Sequence, residues 1–145
     1  MGGKDHHMRY VQVPINAMMP EAFVEPWQEF EEKRKEEKVA TKQILVAACN
    51  MLKINLISSQ PLFQGKLSQL NLPNQMGVFN TASRHLQLVR SIPTQCLLTT
   101  LIGMKDPRHV KYNLEVVRKA PMTREDWFDV LKPKKRVEHV DEEVE

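Results

Sequence analysis

The densest collection of groups able to do chemistry lies in LLTTLIGMKDPRHVKYNLEVVR, residues 97–118. Lys105, Asp106, Arg108 and His109 follow a short apolar run and Gly103. Asp is a favoured helix N-cap, and Pro is tolerated at the first helical position because its missing N–H would have no partner there. Asp106-Pro107 therefore predicts a helix start, with Val110, Leu114 and Val117 as the apolar face. A strand, a glycine turn and a helix N-terminus leave free backbone N–H groups and the positive end of the helix dipole together, a setting that suits a phosphate. Lys105 and Arg108 add positive charge. The plain alternative is an ordinary strand-to-helix connection with a well-capped helix.

Other chemistry-bearing residues carry less. His6 and His7 are adjacent, so in an extended segment their side chains point to opposite faces. No Cys, Asp or His stands at ligand spacing from them, and no metal site is predicted. Cys49 and Cys96 both lie in apolar surroundings, which suits buried thiols in a reducing compartment better than a disulfide framework. No Ser/His/Asp spacing, activated Cys/His pair or facing pair of acids is present, and no catalytic residue is assigned.

The elements that must position these groups follow from patterning. At 145 residues the chain is one domain's worth and would bury about two-thirds of its unfolded surface. It is 41% hydrophobic and 27% charged with a net charge of +3, too mild a charge to indicate nucleic acid. No window has the apolar length of a membrane span, and the N-terminus lacks a signal-peptide core. An intracellular, cytoplasmic protein is the expectation.

Three strands are predicted near residues 8–15, 54–59 and 97–102, each followed by a helix, which implies an α/β fold with parallel strands and right-handed crossovers. Along the first, Tyr10, Gln12 and Pro14 share one face and Val11, Val13 and Ile15 the other. Residues 28–38, QEFEEKRKEEK, read as a charged solvated helix or an exposed insertion, held by pairs such as Glu31–Lys35 worth a few tenths of a kcal/mol. Thr41 is expected to cap a helix with an apolar stripe of Ile44, Leu45, Ala48, Met51 and Leu52. Residues 66–79 read as an irregular loop. Asn80 or Thr81 then caps a helix through Arg90 with Ala82, Leu86 and Val89 inward. Thr123 and Asp126 approximate a capping box for a C-terminal helix containing Trp127, Val130 and Leu131. Residues 132–145 form a charged tail, expected to be disordered or partner-bound.

Four stretches in order, GGKDHHMRYVQVPINAMMPEAF, INLISSQPLFQGKL, NTASRHLQLVRSIP and TTLIGMKDPRHVKYNLEVV, resemble successive pieces of the second half of the aldo-keto reductase (β/α)8 barrel. The likeness covers residues 2–131 and implies a partial TIM barrel, about three C-terminal βα units plus a final helix. It also implies NADP(H). Gln12 would bond the nicotinamide carboxamide, while Ser58, Gln60, Leu62 and Gly65 would meet the pyrophosphate. Gly103, Met104, Lys105, His109 and Asn113 would meet the 2′-phosphate and adenine. Several positions depart from the family: Ile15 for the stacking Tyr, Gln60 for a Ser, His109 for an Arg, Tyr112 for an acidic or amide residue, and Lys53 for a helix-ending Gly.

The family's catalytic Asp, Tyr, Lys and His belong to early strands upstream of this match. The resemblance therefore implies the NADP(H)-end portion of an oxidoreductase, inactive alone and with weak or lost cofactor binding. The alternative is a non-catalytic structural or interaction subunit derived from a reductase domain. Three strands out of eight would leave unpaired edges and an apolar inner face, to be covered by a protein partner or by self-association.

Overall fold

The computed structural model describes residues 7–34, 37–70 and 81–131. Three strands, β1 (Tyr10–Pro14), β4 (Asn55–Ser59) and β5 (Leu97–Thr100), form a parallel sheet in the order β1-β4-β5. Val11 stands opposite Leu56, and Leu56 opposite Leu97, before an irregularity in β5 brings Ile57 opposite Thr99. The parallel α/β arrangement expected from strand–helix alternation is present. Among the described residues the sheet is open.

Alternation within the strands decides which face is covered. Val11 and Val13 of β1 and Leu56 of β4 pack against Val46 and Cys49 of α2 (Leu45–Leu52). A second cluster joins Ile15 to Leu88 and Val89 of α3 (Thr81–Arg90) and to Trp127 of α5 (Arg124–Leu131). The short α1 (Glu21–Val24) contributes Ala22 and Phe23. On the opposite sheet face Tyr10, Gln12 and Pro14 are exposed, next to half-buried Asn55, Ile57 and Ser59. This uncovered face mixes apolar and polar side chains, with Tyr10 and Leu98 60% and 59% exposed.

Residues 28–34 and 37–38, expected as a helix or an exposed insertion, are strand. Gln28–Arg34 (β2) pairs antiparallel with Glu37–Gln43 (β3), in a register that sets Glu29 opposite Lys42 and Phe30 opposite Thr41. Thr41 is thus a strand residue, and α2 starts after Ile44 with no side-chain cap. The stripe of α2 also differs. Val46, Ala48 and Cys49 are buried, whereas Met51 and Leu52 are 50% and 42% exposed.

Lys53 ends α2 in the left-handed conformation, φ 56° and ψ 38°, the position at which helices favour glycine. That conformation costs an L-residue roughly 1–2 kcal/mol, against an entropic cost of roughly 0.5–1 kcal/mol for glycine. Lys53→Gly is expected to raise stability by about 0.5–1 kcal/mol, read as a higher Tm.

Helix α3 is enclosed over most of its circumference. Leu86 and Val89 are buried as expected, Ala82 only half so, and Ser83, His85, Gln87 and Leu88 join them. Lys66–Gln69 forms a 3₁₀ turn within the expected loop. Residues 71–80, with the Asn80 cap, lie outside the described residues, as do the tail 132–145 and His6. At the start of α5 the Thr123 hydroxyl accepts from the Asp126 N–H at 3.1 Å, as an N-cap does, and donates to Asp126 Oδ2 at 2.8 Å.

The face of α4 (Pro107–Val117) is rotated from the expected one. Asn113 and Val116 are buried, while Leu114 and Val117 are 47% and 64% exposed. Polar bonds from α3 set this rotation. Ser83 Oγ donates to the Tyr112 carbonyl at 3.3 Å, and Arg90 Nη1 donates to the Val116 and Lys119 carbonyls at 2.6 and 2.9 Å. Gln87 Nε2 donates to the Ala120 carbonyl at 2.6 Å.

Candidate functional site

The carboxyl ends of parallel strands are where α/β folds place their sites, and here the chain builds a cleft. After Ser59 the chain turns sharply through residues 60–65, where Gln60, Phe63, Gln64 and Gly65 all take positive φ. Gly65, at φ +88°, adopts a conformation that side-chain-bearing residues rarely reach. Three non-glycine residues in this region store local strain, a feature that clusters at functional loops. Asn16, 1% exposed, anchors the turn to the end of β1. Its Nδ2 donates to the Gln60 carbonyl at 2.9 Å, and its Oδ1 accepts from the Met18 N–H at 2.9 Å. Asn16 was not among the site residues singled out from the sequence. A small amide directly after a strand was the available signal.

Across from this turn, β5 ends and residues 101–105 lead to α4. Between the two lies a cleft of about 570 Å³. Six of the ten residues singled out from the sequence line it: Gln60, Leu62, Gly65, Gly103, His109 and Asn113. Gln64 and Tyr112 line it too. The other four lie elsewhere. Ser58 is fully buried, with its hydroxyl directed at the Ile15 carbonyl at 3.4 Å. Gln12 is exposed on the bare sheet face, and Lys105 is exposed to solvent. Met104 faces a second groove of about 360 Å³, between β5 and α4. Gly103 takes no positive φ and has nothing within 4 Å of a Cβ position, so local sterics do not require a glycine there.

The helix N-terminus differs from the expected phosphate cradle. Asp106 Oδ1 accepts from the Arg108 N–H at 2.8 Å, and the Asp106 carbonyl accepts from the His109 and Val110 N–H groups at 3.0 and 3.2 Å. Pro107 has no N–H. The first-turn donors of α4 are thus satisfied from within the chain. The Arg108 guanidinium clasps the same carboxylate, with Nη2 to Oδ2 at 2.7 Å and Nε to both oxygens at 3.2 Å. This pairing with the Arg108 side chain, followed by the Arg108 backbone bond, holds the Asp106 carboxyl below its usual range. A phosphate would have to displace a carboxylate already in place.

Asn113 is the unsatisfied group of the cleft. It is 8% exposed, and its Nδ2 donor has no hydrogen-bond partner. Leaving such a donor unpaired costs about 1–3 kcal/mol, and Asn113 lines both this cleft and the groove between β5 and α4. Among the described residues no group of three His, Cys, Asp or Glu could hold a metal ion, and no helix is long and apolar enough to cross a membrane. No protein-family model matches the chain, and no curated protein matches it.

Proposed function

We propose that the chain is the NADP(H)-end portion of an aldo-keto reductase-like oxidoreductase barrel, without catalysis of its own. The observation that carries this reading is the convergence of Gln60, Leu62, Gly65, Gly103, His109 and Asn113 on one cleft at the carboxyl ends of parallel strands. A dinucleotide fits such a location. Asp106 and Arg108 occupy each other at the helix start, and His109 is a poorer phosphate partner than a bidentate guanidinium. Both features weaken the adenine end.

A second reading, an interaction subunit derived from a reductase domain, draws on the groove between β5 and α4. Leu98, Leu114 and Val117 line it and are 59%, 47% and 64% exposed. Its walls are a free strand edge and an apolar helix flank, the two surfaces that a further βα unit would cover. The two readings are compatible: the missing barrel strands, supplied in the same or another polypeptide, would bury this groove and bring the acid–base residues.

Calorimetry on the chain is expected to give an NADPH affinity no better than roughly millimolar, equivalent to about 4 kcal/mol. Aldehyde-dependent NADPH oxidation is expected to be absent, since general acid–base groups supply about 10²–10⁴-fold in rate. At millimolar NADPH, NMR shifts should concentrate at Gln60, Gly65, Gly103, His109 and Asn113. Shifts confined to other residues would remove the cofactor reading. Micromolar binding that disappears in Lys105→Ala would instead make the chain a competent cofactor-binding fragment.

A further inference from the structure

His85 is a buried titratable side chain that the cofactor reading does not use. It sits on α3, is 1% exposed, and its Nε2 lies 2.9 Å from the Leu70 carbonyl. A carbonyl only accepts, so Nε2 carries the proton and Nδ1 is the bare nitrogen. Nδ1 is buried with no partner. The bond crosses from α3 to the end of the 3₁₀ turn Lys66–Gln69, whose Leu67 side chain is 1% exposed. Gln64, Gly65 and Ser68, at and just before this turn, line the cleft. One imidazole thus ties a wall of the cleft to the best-buried helix of the molecule.

We infer that His85 is a proton-sensitive clamp, holding the 3₁₀ turn against α3 when neutral and releasing it when protonated. A protonated ring gains an N–H at Nδ1, where no acceptor is bonded. Burying that donor and a full charge is costly, so the ring must reach water, and the turn above it must move. The neighbours offer little relief. Charged or titratable groups on the elements packed against α3 are Lys66 in the turn, Glu21 on α1, Arg124, Glu125, Asp126 and Asp129 on α5, and Arg108, His109, Lys111, Tyr112 and Glu115 on α4; β5 carries none. On α3 itself stand Arg84 and Arg90. None of the carboxylates in this set, Glu21, Glu115, Glu125, Asp126 and Asp129, bonds the ring.

Burial lowers the His85 pKa from 6.5, and the Leu70 and Leu67 carbonyls offset this only in part. The unfolded or released ring takes its proton near the ordinary value of about 6.5. The clamp is therefore fully effective above that pH and is lost as pH falls below it through the folded-state value. This inference stands on the packing of α3 and is independent of what occupies the cleft.

Hydrogen exchange, corrected for intrinsic rates, tests it between about pH 7.5 and about pH 5. Residues 66–70 of the wild-type chain should lose about tenfold or more in protection while α2 and β4 keep theirs. His85→Gln, whose amide can donate to the Leu70 carbonyl without titrating, should show no such dependence. A flat wild-type profile, loss spread equally over α2 and β4, or the same response in His85→Gln would overturn the clamp. Should His85→Gln fail to fold, NMR titration of the wild-type ring decides. Titration below the ordinary value and in step with opening of 66–70 supports it, and titration at or above that value, or out of step, overturns it.

Discussion

Trp127→Ala is expected to cost about 3–5 kcal/mol, the range for removing a large aromatic side chain from a packed core. Trp127 is 2% exposed and sits where α1, α3 and α5 meet. Its ring lies edge-on to Phe23 and Phe128, with centroids 5.1 Å away in each case. Its Nε1 donates to the Leu88 carbonyl at 2.8 Å. Total stabilities of domains fall near 5–15 kcal/mol, so the substitution removes a large share of the whole. Trp127→Phe separates the contributions: most of the packing is kept, and the lost indole bond should cost only about 1–2 kcal/mol. Denaturant unfolding measures both, and a Trp127→Ala loss below about 1 kcal/mol would mean that α5 is not part of the cooperative core.

Arg90→Met should lower stability by about 1.5–3 kcal/mol, the range for a charge-assisted hydrogen bond. Arg90 Nη1 meets the Val116 and Lys119 carbonyls and Gln87 Oε1 at 3.1 Å. Methionine keeps the apolar stem, so the change isolates the guanidinium. The carbonyls at a helix C-terminus lack intrahelical partners and carry its negative pole, which locates the damage. Exchange protection should fall first in the last turn of α4, with β1 and β4 affected least. Equal loss across all three would show that Arg90 supports the whole core and not that helix end.

Much of the architecture was legible because its signals are local. β-branched and apolar runs bounded by Pro, Asn and Gly marked the three parallel strands, and Asp106-Pro107 and Thr123/Asp126 marked two helix starts. Residues 28–43 misled because a balanced run of Glu and Lys fits helical charge spacing. The same run also fits a hairpin, whose register sets Glu29 opposite Lys42 and Arg34 opposite Glu37. Phe30, Val39 and Thr41 were the β-favouring residues within it. The orientation of α4 was not legible, since Arg90, Ser83 and Gln87 reach across from α3 and override its apolar periodicity. Within the site, Gln60 to Gly65 and Gly103 to Asn113 were brought together as segments. Ser58 and Gln12 were not, because strand alternation turns one into the core and the other onto the bare sheet face. The self-satisfied state of Asp106 depends on a rotamer of Arg108 that no spacing rule specifies.

Cys49 and Cys96 offer a use of a different kind. The two thiols sit in the cluster that joins α2 to the sheet, 2% and 6% exposed. Burial, with a smaller contribution from Cys96, pushes the Cys49 thiol up to about 11. At neutral pH such a group is thiolate in only about one molecule in ten thousand, and the thiolate is the reactive species. Alkylating reagents therefore have no route to Cys49 in the closed molecule, and its modification has to wait for α2 to lift from β4. The chain carries its own stopwatch: the labelling rate of Cys49 counts the openings of one helix–sheet seam.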